Sequence, residues 1–256
     1  MTAASRPVAV ITGASSGIGE EFARRYAREG FDLVLVARTE TKLQQLAAHL
    51  TEQHGIAVDV HVADLVVPAD TEALAHKIEH ELPRLDHVIN CAGVSMEGDL
   101  HRADARRVRA MLDLNTVALT LLSRAAIIRM RAQRRGTVVN IASGAAYQPT
   151  PHLAAYGASK SYVLMLTEAL YEENRHHGVR VLAVCPGDTD TPMNPGLAKT
   201  PRKPEQVVDT AWRTMSGTKP STVDGRQNAF VAVLTSRFLT RRYRLRMADK
   251  MTRHKA

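Results

Sequence analysis

The stretch "VAVITGASSGIG", residues 8–19, decides how the rest of the chain is to be read. Four apolar residues of strand character lead into Thr12, and glycines then stand at 13, 17 and 19 just where a helical pattern begins. A strand that empties into a glycine-rich turn and then a helix brings backbone N–H groups and the positive helix end to one point, which suits a pyrophosphate. The first glycine permits the tight turn, the second a close backbone approach, and the third close packing of the helix. Ser15, Ser16 and Ile18 complete this loop with Gly13, Gly17 and Gly19.

Outward from it, short β-rich runs recur at 8–11, 32–37, 57–62, 87–90, 136–143 and 179–185. Helical patterns fill the intervals at 17–29, 41–54, 70–82, 103–132 and 153–176. This alternation predicts an α/β fold: a Rossmann-like, doubly wound parallel sheet in a three-layer αβα sandwich. In such a sheet the ligand crevice lies beyond the carboxyl ends of the strands.

After the second strand, dinucleotide enzymes that bind a free ribose 2′-hydroxyl place an acid; here the chain reads Ala37-Arg38-Thr39. A guanidinium at that place suits a 2′-phosphate, so the expected cofactor is NADP(H). Glu40 is near, but it sits where a helix starts and its charge suits the dipole there. Further on, "YGASK" sets Tyr156 and Lys160 four residues apart on one helix face. An ammonium beside a phenol favours the phenolate, and a tuned phenol can move a proton.

A chain of 256 residues, 45% hydrophobic, is expected to form one domain. The apolar run before Thr12 is too short for a signal peptide, so a cytoplasmic location is expected. Cys91 and Cys185 follow no metal-ligand spacing and read as reduced thiols; no metal is expected. The net charge of +8 is concentrated: from Arg237 onward there are eight Arg or Lys against Asp249 alone. Residues 1–236 are therefore nearly neutral, which counts against a nucleic-acid partner. The chain divides into a catalytic, cofactor-binding unit over 1–236 and a basic tail over 237–256.

With these features together the sequence resembles the short-chain dehydrogenase/reductase family, in its compact single-domain branch, over nearly the whole chain to about residue 215. "TGASSGIG" resembles the family's cofactor loop, and "ADL" supplies Asp64 and Leu65 by analogy at the adenine. "NCAG" resembles the family's Asn-Asn-Ala-Gly, with Asn90, Ala92 and Gly93 retained and Cys91 as a departure. Asn115, Ser143, Tyr156 and Lys160 match the catalytic tetrad, and "CPGDTDT" resembles the segment in which Pro186, Gly187, Thr189 and Thr191 hold the nicotinamide amide. The resemblance implies an NADP(H)-dependent carbonyl reductase or alcohol dehydrogenase on an apolar or 3-oxoacyl-type substrate, with a weaker likeness to long-chain 3-oxoacyl-CoA and 17-beta-hydroxysteroid reductases. It implies that Tyr156 moves the proton, Lys160 depresses its pKa and binds the nicotinamide ribose, Ser143 binds the substrate oxygen and Asn115 holds a water. The alternative is an NADP(H)-binding scaffold or redox sensor without catalysis.

The C-terminal part departs from the family's Gly-rich tetramer segment, reading "STVDGRQNAFVAV" instead, though a homo-oligomer is still expected. Residues 188–204 read as a substrate lid or a plain connecting loop, and Asp188 and Asp190 as solvated loop carboxylates or polar substrate contacts. In the tail, Leu239, Tyr243, Met247 and Met251 recur every four residues among arginines. That pattern fits a basic amphipathic helix lying on an anionic membrane surface, or one packed on the domain or a second subunit.

Overall fold

The computed structural model describes residues 6–193, 201–225 and 240–252. Seven strands form one parallel sheet: β1 (Val8–Thr12), β2 (Asp32–Ala37), β3 (Val58–Val62), β4 (His87–Asn90), β5 (Gly136–Ile141), β6 (Val179–Cys185) and β7 (Ser221–Val223). Their order is β3-β2-β1-β4-β5-β6-β7. The chain winds outward from β1 to β3, then returns to the other side of β1 to start β4. That reversal opens the crevice between the ends of β1 and β4, where the glycine loop lies.

Alternation along β1 shows how both faces are covered. Ala9 and Ile11 point into a core with Phe22, Tyr26, Leu43 and Leu50, which belong to α1 (Gly17–Arg28) and α2 (Glu40–His54). Val8 and Val10 point the other way, toward Leu74 of α3 (Pro68–His76) and Leu122 and Met130 of α4 (Ala105–Gln133). α5 (Ala154–Asn174) covers the far part of that second face through Val163 and Leu164. α4 is long and apolar enough to span a membrane by composition, but half of its most apolar window is buried inside the fold.

The expected strands recur with small shifts. β5 ends at Ile141 rather than 143 because the Ser143 hydroxyl accepts the Ala145 N–H at 3.1 Å and turns the chain. The helix expected over 70–82 starts at Pro68 and closes in a wide π-type turn, Lys77–Glu81.

Two elements escaped the periodicity. Helix α6 (Pro204–Met215) packs Val207, Val208 and Ala211 onto the first core, and β7 adds three residues beside β6. Pro204 in the first turn and the Gln206 side chain accepting the Lys203 N–H at 3.0 Å are start signals for α6 that the sequence does carry. The basic tail forms α7 (Arg241–Thr252), which packs on the domain through Ala248, 1% exposed. Leu239 lies outside the described residues, and Tyr243 is exposed.

Candidate active site

One cavity of about 580 Å³ runs along the carboxyl ends of the strands. Its floor is the glycine loop. Gly13 takes a left-handed φ of 70°, and a Cβ at Gly19 would collide with the Gly13 carbonyl oxygen, so the helix start and the loop touch without side chains between them. The first N–H groups of a helix have no partner within it, and Ser16 provides no capping bond. An anion can therefore take those N–H groups. Thr12 fixes the opposite edge: its hydroxyl accepts the N–H groups of Cys91 and Ala92, each at 3.0 Å, and so locks the end of β4 against the loop.

At one end of the cavity stand Arg38, Asp64 and Leu65. Arg38 is exposed. Glu40 opens α2 and accepts the Gln44 amide at 2.7 Å, so the nearest carboxylate is turned to its own helix. Asp64 also holds a turn, its Oδ1 accepting the Val66 N–H at 3.2 Å.

At the other end the tetrad residues meet. Tyr156 and Lys160 lie on α5, with the Lys160 ammonium 6.0 Å from the centre of the phenol ring. Ser143 lines the cavity with Tyr156. Lys160 is 7% exposed and donates to the Ile141 carbonyl at 2.9 Å. Asn115 is fully buried in a π-type turn of α4, Asp113–Ala118; it accepts the Val94 N–H and donates to the Val94 carbonyl, both at 3.0 Å. A third bond reaches Ser159 Oγ at 3.1 Å.

The electrostatics correct one expectation. The spacing suggests that Lys160 holds the phenol's pKa down, yet burial of Tyr156 dominates and raises it; Ser143 works in the opposite direction and Asp188 adds to the rise. Burial also lowers Lys160 to about 8. A charge that is itself desolvated loses its own proton before it can drive off a neighbour's. In this structure Tyr156 is therefore a held acid. Both cysteines are free, and burial pushes each thiol up to about 12, which keeps Cys91 and Cys185 protonated and unreactive.

The family model of the short chain dehydrogenases matches residues 7–202. The chain belongs to that family. A short-chain dehydrogenase from Sphingobium yanoikuyae in complex with NADPH is 36% identical, with a TM-score of 0.81 over 85% of this chain and 87% of that one. The bulky-bulky ketone specific alcohol dehydrogenase from Comamonas testosteroni is 29% identical, with a TM-score of 0.80 over 99% of this chain and 96% of that one. Among curated relatives, the very-long-chain 3-oxoacyl-CoA reductase of Anas platyrhynchos is 31% identical over 73% of this chain and 61% of its own length. As a short-chain dehydrogenase the protein is an oxidoreductase, and the fold and motif order agree with the sequence reading.

Of the residues picked out as catalytic or cofactor-binding in this short-chain dehydrogenase, all line the cavity except Asn90 and Asn115. Asn90 turns inward: its amide donates to Ser123 Oγ at 3.0 Å and Asn140 Oδ1 at 2.8 Å, tying β4 to α4 and β5. Asn115 lies behind Gly93, whose added Cβ would stand 3.1 Å from its Oδ1 and 3.4 Å from Lys160 Nζ. The sequence reading passed over Gln148, Thr150 and Leu153, which line the Tyr156 end of the cavity within the twelve residues between Ser143 and Tyr156. It also passed over Val223 and Thr252. The loop length alone signalled the first group; nothing local signalled the second.

Of the expected lid, the stem is described and residues 194–200 lie outside the described residues. Thr189 pairs with Arg202, whose guanidinium holds the buried Asp224 in two bonds of 2.8 Å. Asp188 is exposed and lines the cavity.

Proposed function

We propose that the chain is an NADP(H)-dependent carbonyl reductase or alcohol dehydrogenase acting in the cytoplasm on an apolar ketone, 3-oxoacyl thioesters foremost and ketosteroids next. The observation that carries this reading is the single cavity with an anion-accepting helix start on its floor, Arg38 at one end and Ser143, Tyr156 and Lys160 at the other. The glycine cradle, which a Cβ at Gly19 would fill, suits a dinucleotide pyrophosphate. Arg38, with Glu40 turned to Gln44 on its own helix, suits a 2′-phosphate. NADPH complexed in the Sphingobium relative supports the same choice.

When bound, the nicotinamide supplies or accepts the hydride. This chain's residues do the rest. Ser143 holds the substrate oxygen, and Tyr156, buried and protonated, gives that oxygen its proton during reduction or takes it back during oxidation. Lys160 holds the ribose and keeps a positive charge near the phenol where charge develops. Asn115 positions Val94 and the segment against Lys160, and keeps a water in line with it. Leu153, Met193 and Val223 give the substrate end an apolar surface that favours a bulky ketone. The catalytic unit is residues 1–236, with 237–256 appended to it.

Tyr156→Phe tests the reading on the full chain with a panel of ketones, steroids and 3-oxoacyl thioesters. Loss of turnover by about 10²–10⁴-fold, with NADPH affinity held within a few-fold, is the expected result. Retained turnover refutes Tyr156 as the proton carrier; tight NADPH binding by a wild-type chain inert across the panel supports a cofactor-binding scaffold or sensor instead.

A homo-oligomer belongs to the same proposal. Val117, Leu121 and Ile128 on α4 and Tyr162 and Met165 on α5 form an exposed apolar stripe, the two helices joined at its middle by Thr120 and Tyr162 at 3.0 Å.

A further inference from the structure

His152 stands four residues before Tyr156 with a left-handed φ of 61°, one of two non-glycine residues so placed among those described. A side chain in that conformation is held there by its surroundings, and the surroundings here are explicit. Its carbonyl accepts the Gly98 N–H at 2.8 Å. Its Nδ1 pairs with Asp99 at 2.7 Å, and its Nε2 pairs with Asp249 at 3.3 Å. Asp249 belongs to α7, whose Ala248 is buried beside it and whose Thr252 reaches the wall of the cavity. On either side of His152, Thr150 and Leu153 line the same cavity.

The imidazole thus bridges two carboxylates on elements far apart in the sequence: the loop before the catalytic helix, the segment at 98–99, and α7. A neutral ring donates to one of them and the imidazolium to both. We infer that His152 is a positioning residue: with Asp249 it clips α7 onto the body, so that the tail closes the substrate end of the cavity and limits which ketones reach Tyr156. This rests on the reading of that cavity as the site of ketone reduction. Arg241, Arg242 and Arg246 are exposed and form the solvated side of that wall, while Arg244 is half-buried, and a membrane is not needed to explain the helix.

The test uses the full chain and two variants, His152→Asn and Asp249→Asn. Asparagine tolerates the left-handed backbone and can keep the bond to Asp99, but it is too short for Asp249, so the loop is preserved while the clip is lost. Trypsin cleavage within Arg241–Arg246, followed by mass spectrometry of the C-terminal fragments, reads the clip without any turnover. Loss of one charge-assisted hydrogen bond should speed that cleavage by about tenfold in both variants. KM for bulky ketones should change by a similar factor while kcat for a small ketone and NADPH affinity stay put. Cleavage at the wild-type rate in both variants overturns the clip. Faster cleavage with unchanged KM values overturns the role in substrate choice. A wild-type chain inert on every ketone sinks the reductase reading and the specificity role with it, while the cleavage rates still decide whether the clip exists.

Discussion

Tyr156 and Lys160 show how far a residue pair can be read from spacing. The four-residue interval put both groups on one face of α5, as the structure has it, but burial decided their protonation. Lys160 at about 8 lies below the ordinary lysine value, so the folded chain gives up this proton before the unfolded chain does. Its burial therefore costs stability in full below pH 8, and the cost fades as pH rises to 10.5. In the cofactor-free protein, Lys160→Met should gain stability relative to wild type at pH 7, and that advantage should shrink by about 3 kcal/mol by pH 10.5. Urea titrations at the two pH values measure it, and a pH-independent difference refutes the assignment. Arg38 carries a separate expectation. Arg38→Ala should weaken NADPH binding about tenfold and leave NADH unchanged, because one charge-assisted contact is lost. Fluorescence titration with both cofactors decides, and an equal loss for each contradicts a 2′-phosphate role.

At the scale of single elements, β-strands were legible because five of the seven are largely buried runs rich in Val, Ile and Leu bounded by polar or glycine punctuation, and β3 alternates valine with Asp59 and His61. β7 was not, since three half-buried residues give no period. α4 reads as one amphipathic helix, and nothing in its pattern announces the π-type turn at Asp113–Ala118. That turn appears where Asn115 leaves the helix surface to bond Val94. The Asn115 side chain closes three hydrogen bonds, the one to Ser159 buried and the two to Val94 partly buried, and its removal leaves the Val94 N–H and carbonyl without that partner. Asn115→Ala should therefore cost about 2–4 kcal/mol by urea denaturation. An unchanged midpoint would mean that water replaces the amide without loss.

For the molecule as a whole, the exposed stripe on α4 and α5 gives the oligomer its test. Sedimentation of the full chain should show a species heavier than the 28.1 kDa monomer, and Leu121→Glu should return it to monomer by placing a charge in the buried interface. A wild-type monomer at every concentration removes the proposal. The tail is legible as a helix but not as a docked one: periodicity marks an apolar side without saying what covers it, and Ala248 of α7, outside the expected four-residue repeat, is buried, while Tyr243 of that repeat is exposed.

By itself the sequence determined the order of the first six strands and the five helices between them, the glycine loop and the chemical identities at the ends of those strands, because these depend on local spacing and side-chain type. Only the tertiary structure decided the protonation of Tyr156 and Lys160, the inward turn of Asn90, and the meeting of His152 with Asp99 and Asp249. Those outcomes depend on burial and on contacts between residues as many as 97 positions apart, and neither quantity is written in any window of the chain.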